Sequence, residues 1–268
     1  MPEFTGTGTG DPARSMALLW RRRDAGGAVG RSGISVDRII SAAIEVADAE
    51  GLSALSMRRV AELLGVGTMS LYTYVPGKAE LIDVMLDTVV AETARPESVE
   101  GGWRPWLELV ARENWELFRR HPWMIQVSTG RPPLGPGVIA KYDHELRAVD
   151  GIGLSEVEMD AVLTLVLGYV GGAARGVAEQ AEAEKHTGVS LDQWWFSVSP
   201  LLERVFDESR YPTASRVGSV AGGSSYDTDA TFEFGLQRVL DGIQAFVEAD
   251  PDERRRSLPP GLRLPQEG

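Results

Sequence analysis

The segment that decides the fold is Leu55–Leu81, which reads LSMRRVAELLGVGTMSLYTYVPGKAEL. It holds two short stretches of helical apolar periodicity, and Gly65 lies in the turn of three or four residues between them. A Val75-Pro76-Gly77 break follows the second stretch. Two short helices joined by such a turn form a helix-turn-helix, whose second helix can enter the major groove of DNA. The segment therefore predicts a DNA-binding unit.

The outer side of the second predicted helix carries the groups that would contact DNA. Its hydroxyls, aromatic rings and one thioether can approach base edges, phosphates and thymine methyl groups closely. Arg58 and Lys78 each stand in the first turn of a helix, where the dipole disfavours a cation and a phosphate would explain it. The alternative for Tyr72 and Tyr74 is packing within a three-helix core. The candidate DNA-binding residues are Arg58, Thr68, Met69, Ser70, Tyr72, Thr73, Tyr74 and Lys78.

This segment resembles the DNA-binding signature of the TetR family of bacterial transcription regulators, and the resemblance extends over residues 34–87. Ile39–Ala43 and Ala49–Gly51 match the helix that precedes the motif. The resemblance implies an all-α fold, with an N-terminal three-helix helix-turn-helix domain and a larger helical domain for ligand binding and dimerisation. The expected partners are a double-stranded DNA operator, an unidentified small-molecule effector and a second copy of the chain.

Periodicity and breaker residues predict four regions along the chain. We expect a flexible N-terminal arm (1–30), the helix-turn-helix domain (31–77), the helical ligand-binding and dimerisation domain (78–250) and a flexible tail (251–268). Residues 209–225 are rich in Gly and Ser and predict a loop. The cluster Arg21–Arg23 in the arm is either a solvated charge cluster or a contact to phosphates or the minor groove.

Composition narrows the class of protein. The 268 residues include no cysteine, which excludes a zinc finger, a disulfide scaffold and a thiol nucleophile and fits the cytoplasm. We find no apolar run of membrane-spanning length and no signal peptide, so no membrane partner is expected. The net charge of −12 is uneven, because residues 1–95 hold 10 basic against 12 acidic side chains. The charge therefore permits DNA binding without predicting it.

The chain after residue 95 is similar to the C-terminal domain of the tetracycline repressors. Trp103, His121–Trp123, Gly130–Pro132 and Phe232–Leu236 are among the residues that carry the similarity. A tetracycline repressor has a metal-ligating histidine near the position of Ser128 and Thr129, which this chain lacks, so metal-bound tetracycline is not the expected ligand. From this similarity and from a possible aromatic cavity framed by tryptophans, the candidate ligand-binding residues are Trp106, Val110, Asn114, Ser128, Thr129, Arg131 and Tyr169.

Two predicted helices carry features of a subunit interface. Three glycines repeat every fourth residue along one face of the helix after Ser155, although each costs roughly 1 kcal/mol relative to Ala. The last long helix carries an apolar stripe. Two such helices from each subunit would form a four-helix interface, and the alternative is packing within one chain. The candidate dimerisation residues are Gly168, Gly172, Gly176, Phe232, Leu236, Val239 and Ile243.

Signals for an enzyme are weak. His121, His144 and His186 are the only histidines, and no nucleophile elbow, HExxH motif or P-loop is present. We therefore expect no catalysis, no cofactor and no metal site. The leading interpretation, which the family resemblance implies, is a transcriptional repressor that a small-molecule ligand releases from its operator. Two alternatives remain open, namely a DNA-binding regulator without a small-molecule inducer, and a helical enzyme or carrier with a scaffolding N-terminal domain.

Overall fold

The computed structural model describes residues 6–21, 34–221 and 227–262, and its fold there is all-α. In these ranges the only β-pairing is an isolated bridge between Gly6 and Ser128. The helices are α1 (Pro12–Leu19), α2 (Val36–Glu50), α3 (Met57–Leu64), α4 (Thr68–Tyr72), α5 (Lys78–Val89), α6 (Trp103–Arg120), α7 (Pro136–Leu146), α8 (Glu156–Thr187), α9 (Leu191–Glu203), α10 (Pro212–Ala221), α11 (Thr228–Glu248) and α12 (Pro251–Ser257). Short 3-10 turns follow at Val90–Glu92, Pro122–Gln126, Arg147–Val149 and Pro260–Leu262.

Local sequence signals fix the helix-turn-helix. Ser35 and Ser56 cap α2 and α3 by accepting the backbone N–H three residues on, as serine N-caps do. Gly65 ends α3 in the left-handed conformation, with φ of 68°, which glycine adopts without a steric penalty. Gly65 therefore lies in the turn between α3 and α4, as the sequence predicts, and α4 ends before the Val75-Pro76-Gly77 break.

The first hydrophobic core joins the helix-turn-helix to the larger domain. Ile39, Val60 and Leu71 of α2–α4 are fully buried in it together with Leu81 and Met85 of α5. The same cluster continues into the end of α6 and the turn after it, through the buried residues Leu117, Trp123, Met124 and Val127. The DNA-binding helices are thus packed directly on one end of the larger domain.

The second core lies between α6, α8 and α11. Trp115 of α6 stacks on Phe232 of α11 with ring centroids 4.3 Å apart, and Val166 of α8 is fully buried beside them. By length and composition α8 is apolar enough to cross a membrane, contrary to the expectation that no such stretch is present, and a core helix can pass the same test. Here it packs along α6 and α11, so core packing accounts for one side of it.

The expected flexible arm is wrong for residues 6–21. Asp11 caps α1, with Pro12 in its first turn, and Leu18 and Leu19 are buried in the first core. Arg21 forms an ion pair with Asp37 of α2. Arg22 and Arg23 of the basic cluster, and residues 1–5, lie outside the described residues.

Two other segments are also more ordered than expected. Residues 212–221, expected as a loop, form α10, since Pro212 is compatible with the first turn of a helix. Part of the expected flexible tail forms α12, which Asp250 caps. Arg254 of α12 is buried and donates to the carbonyls of Gly153 (2.6 Å) and Val247 (3.0 Å). These bonds tie the tail to the segment before α8 and to the end of α11.

Part of the predicted dimer surface lies inside the subunit. Phe232, Leu236 and Ile243 are buried in the second core, because the apolar stripe of α11 faces α6 and α8 of the same chain. Their assignment to a subunit interface is therefore wrong. Val239 is half-buried beside them, whereas Gly168, Gly172 and Gly176 are exposed on α8. The alternative of packing within one chain holds for the α11 stripe.

Candidate DNA-binding surface and ligand cavity

The recognition helix α4 is held by its buried side and exposes the other. Leu71 and Val75 are fully buried in the first core. On the outer side, 77% of Met69 and 43% of Tyr72 are solvent-exposed, and Ser70 and Thr73 are exposed as well. The hydroxyls, ring and thioether predicted to meet DNA are thus accessible on one surface.

Three of the predicted DNA-binding residues are half-buried, unlike the rest, which are exposed. Thr68 is half-buried at the start of α4, and the half-buried Tyr74 packs against the first core, so its ring contributes to folding. Lys78 is half-buried at the start of α5. In the part of the chain that the structure describes, no acidic partner of Lys78 lies within ion-pair distance, which leaves its ammonium available to a phosphate.

The two arginines of α3 differ in their partners. The side chain of Arg58 is 83% exposed and its Nε lies 2.8 Å from Glu62. Such an exposed pair contributes little to stability, so a phosphate can replace Glu62 at little cost. Arg59 pairs with Glu50 of α2 at 2.6 Å, and its hydrogen bonds lower the pKa of that carboxyl. Arg58 can therefore reach DNA, whereas Arg59 links α3 to α2.

A cavity of about 540 Å³ lies in the larger domain between α5, α6, α7 and α8. Its size falls within the range of small-molecule sites. The walls are mainly apolar, and they include Leu86, Val90, Leu117, Phe118, Met124, Ile125, Val127, Pro132, Pro133, Val138 and Leu167. Gly168, Gly171 and Gly172 of α8 line one side, and no other atom lies within 4 Å of where their Cβ atoms would stand. The missing side chains on α8 leave this space open.

A buried polar group stands in the apolar wall. Glu145 of α7 is 4% exposed at its side chain and accepts from Asn114 Nδ2 (2.7 Å) and from Lys141 Nζ (2.6 Å). Asn114 also donates to the Val110 carbonyl at 2.8 Å. The carboxylate is buried and the ammonium beside it is largely shielded from solvent, and the two are paired, which is the arrangement that a desolvated charge requires. The cavity therefore offers a fixed polar anchor to a ligand.

Only some of the predicted ligand-binding residues line this cavity. Asn114 and Thr129 do, whereas Val110 is buried beneath Asn114. Ser128 and Arg131 are exposed, and their backbone carbonyls accept hydrogen bonds from Thr7.

The two aromatic candidates lie away from the cavity. Tyr169 packs on α11, where its hydroxyl donates to the Phe232 carbonyl at 2.7 Å. Trp106 packs near His144, with ring centroids 5.8 Å apart. None of the seven tryptophans is among the residues found to line this cavity, so the expected aromatic frame is wrong.

Sequence reasoning missed Lys141, Glu145 and Arg175, which line the cavity from α7 and α8. The spacing of Lys141 and Glu145 was a usable signal, since residues four apart share one helix face.

Sequence reasoning also missed the role of His121, which is buried where the DNA-binding helices meet the larger domain. His121 Nδ1 lies 2.8 Å from Asp48 of α2 and Nε2 lies 3.1 Å from Glu92 after α5, so the ring bridges the DNA-binding helices and the larger domain.

Comparisons with known proteins agree with this two-part organisation. Residues 39–85 match the family described as bacterial regulatory proteins, tetR family, and residues 95–247 match the tetracyclin repressor-like C-terminal domain. The chain belongs to the TetR family. It is a DNA-binding transcriptional regulator with a helix-turn-helix domain and a ligand-binding domain.

Its relatives in the TetR family include proteins named as repressors. The chain is 44% identical over 244 residues to the HTH-type transcriptional repressor DrrR1 of Streptomyces coeruleorubidus, covering 90% of this chain and 88% of that protein. It is 26% identical to the class A tetracycline repressor from transposon 1721 of Escherichia coli, covering 76% and 88%. The crystal structure of Streptomyces coelicolor ActR in complex with actinorhodin has a TM-score of 0.67 at 27% identity, covering 79% and 96%.

Proposed function

We propose that this TetR-family protein is a cytoplasmic homodimeric repressor, which leaves its operator when a small molecule occupies the cavity between α5 and α8. Leu86, Leu117, Met124 and Val127 carry the proposal, because each of them both lines the cavity and belongs to the core that holds the DNA-binding helices. Close-packed interiors transmit strain, so a molecule that displaces these side chains displaces what packs behind them. Ligand and operator would then compete through the orientation of α4.

The lining of the cavity favours a ligand of particular chemistry. The apolar walls fit a flat or bulky apolar body, and the Lys141–Glu145–Asn114 group fits an oxygen substituent such as a carbonyl, phenol or carboxylate. Among the described residues, Lys141 has Glu145 as its only ionic partner, which leaves further N–H donors of the ammonium for a ligand oxygen. The ActR structures with actinorhodin and with (S)-DNPA support a small organic ligand and supply the first compounds to test.

Exposed apolar side chains support the homodimer. Phe234 of α11 is 66% exposed, and exposed large apolar side chains also concentrate on α9 and α10. Exposed apolar side chains that form a patch mark interaction sites in soluble proteins. These residues are Leu165, Trp194, Phe196, Leu201, Leu202, Val205, Val217, Val220 and Phe234. A second copy of the chain is the occupant that the two-fold symmetry of paired half-sites requires.

The experiment begins with selection of DNA fragments from a random pool by the purified protein. Tyr72→Ala and Lys78→Ala are expected to weaken binding to the selected fragment while the dimer persists in sedimentation. Glu97→Ala, an exposed change in the segment between α5 and α6, is the matched control and is expected to bind normally. Equal binding by all three variants would refute the assignment of α4.

The ligand arm of the experiment uses actinorhodin and (S)-DNPA as probes. Addition of a compound that fits the cavity is expected to release the selected fragment from the wild-type protein. The variant Gly172→Trp places a large side chain in the cavity and is expected to abolish that release. Release that persists in Gly172→Trp would place the ligand elsewhere.

A further inference from the structure

Helix α5 buries three carboxylates on one side. Glu80, Asp83 and Asp87 are spaced by three and four residues, so they lie along one face, and Asp83 is only 1% exposed. Burial of a carboxylate is costly unless hydrogen bonds compensate it. Asp87 receives the backbone N–H of Val138 at the start of α7, at 2.9 Å. The other two carboxylates receive their donors from the N-terminal segment of the chain.

Residues 6–21, named here the strap, supply those donors. The N–H of Asp11 donates to Glu80 Oε1 (3.2 Å), the N–H of Gly8 donates to Asp83 Oδ1 (3.0 Å), and Ser15 Oγ donates to Asp83 Oδ2 (2.9 Å). Burial raises the pKa of Asp83, and the two hydrogen bonds from the strap oppose that rise. Of the three carboxylates, Glu80 and Asp83 receive these hydrogen bonds only while the strap lies on α5.

The Thr/Gly composition of the strap permits its close approach. Gly8 has φ of 63°, and a Cβ atom there would stand 3.0 Å from Arg131 Cβ. A Cβ atom on Gly10 would stand 2.4 Å from Glu80 Oε1. A side chain at Gly8 would strain the left-handed backbone, and one at Gly10 would displace the Glu80 carboxylate, so the two glycines allow the strap to dock on α5.

The strap touches both functional parts of the molecule. Thr7 donates from its N–H to Ser128 O (3.0 Å) and from Oγ1 to Arg131 O (2.7 Å), and Trp20 Nε1 donates to Leu134 O (2.8 Å). The segment that these bonds hold lines the ligand cavity through Thr129, Pro132 and Pro133. At its other end, Arg21 pairs with Asp37 in the first turn of α2. One short segment thus joins a cavity wall to the DNA-binding domain.

We propose that the strap is a regulatory element, which relays displacement of residues 128–134 to α5 and α2. The proposal rests on the proposed function for its ligand and its DNA, whereas the mechanical link can be measured without either. A ligand that shifts residues 128–134 pulls on Thr7, and the strap carries the shift to the Asp83 side of α5 and to Asp37. The strap thereby adds a second connection beside the shared core.

Hydrogen exchange of the full-length protein tests the link. Thr7→Val removes the bond to Arg131 O, and Ser15→Ala removes the bond to Asp83 Oδ2. Both variants are expected to exchange amides faster in residues 128–134 and in α2, since loss of either bond loosens the whole strap. Arg14→Ala changes an exposed residue of α1 and is the control, expected to match the wild type. Faster exchange confined to residues 6–21 would overturn the proposal.

DNA affinity tests whether the link is regulatory. On a fragment that the wild-type protein selects from random DNA, Thr7→Val and Ser15→Ala are expected to bind at least about 5-fold more weakly, the lower end of allosteric couplings. Unchanged affinity in both variants would overturn the regulatory role. A wild-type protein that selects no fragment would refute the proposed function instead, and the exchange experiment would still decide whether the strap links the two regions.

Discussion

Removal of the Lys141 ammonium is the most direct test of the polar group in the cavity wall. The side chains of Lys141 and Glu145 are 12% and 4% exposed, with Nζ 2.6 Å from Oε1, so solvent screens the pair weakly. Loss of one partner from a buried pair costs about 3–5 kcal/mol, because the other charge remains buried and unpaired. Glu145 keeps the hydrogen bond from Asn114. We therefore expect Lys141→Met to lower the free energy of unfolding by about 3 kcal/mol.

Urea unfolding and thermal melts measure this loss. For a chain of this size, about 3 kcal/mol corresponds to a decrease in Tm of about 6–12 °C. The double variant Lys141→Met with Glu145→Gln removes the unpaired charge and is expected to recover much of the loss. Arg147→Met is the matched control, since Arg147 pairs with Asp143 at the exposed end of α7, and we expect a change of at most about 0.5 kcal/mol. A loss below about 1 kcal/mol for Lys141→Met would refute the argument that the pair is desolvated.

Three further variants test other parts of the molecule. Lys78→Ala is expected to reduce the slope of log affinity against log salt by about 1.8 in a dimer, because each lost phosphate contact removes about 0.9, and an unchanged slope would exclude Lys78 from the DNA interface. Leu236→Ala should lower the free energy of unfolding by about 2–5 kcal/mol in urea. Phe234→Ser should leave the folded subunit intact and shift sedimentation toward the monomer. A stable Leu236→Ala together with an unfolded Phe234→Ser would contradict the buried position of Leu236 and the exposed position of Phe234. Asp83→Asn should gain stability relative to the wild type as pH rises above about 4. Burial raises the pKa of Asp83 in the folded protein, so the unfolded wild-type chain releases this proton at a lower pH than the folded chain does. Parallel pH profiles of the two proteins would contradict this.

The sequence predicted what local rules determine. Ser56, Gly65 and the Pro76-Gly77 break act within a few residues, so the helix-turn-helix could be located from them alone. Local periodicity could not tell which neighbour an apolar stripe meets, and so Phe232 and Leu236 were assigned to a partner when their neighbours are α6 and α8.

The candidate site depended more on tertiary contacts than on local pattern. Glu145 is an ordinary helical acid until α6 places Asn114 against it, and a Thr/Gly segment is typical of disorder until Glu80 and Asp83 receive it. Both cases join residues more than 30 positions apart, which single-sequence periodicity does not report. The carboxylate spacing on α5 was visible in the sequence, and buried helix positions occupied by acids predict partners from elsewhere in the chain.

The structure constrains how a ligand could act on DNA. A ligand shifts an equilibrium only through different affinities for two states, so its contacts must change with the orientation of α4. Met124 and Val127 meet this condition, because they face the cavity on one side and the core of the helix-turn-helix on the other. Couplings of about 1–3 kcal/mol, or 5–150-fold in affinity, are typical of such arrangements. Because α2 is also tied through His121 to Asp48, a ligand must move the core and this joint together, which favours two discrete orientations of the DNA-binding helices over a continuous range.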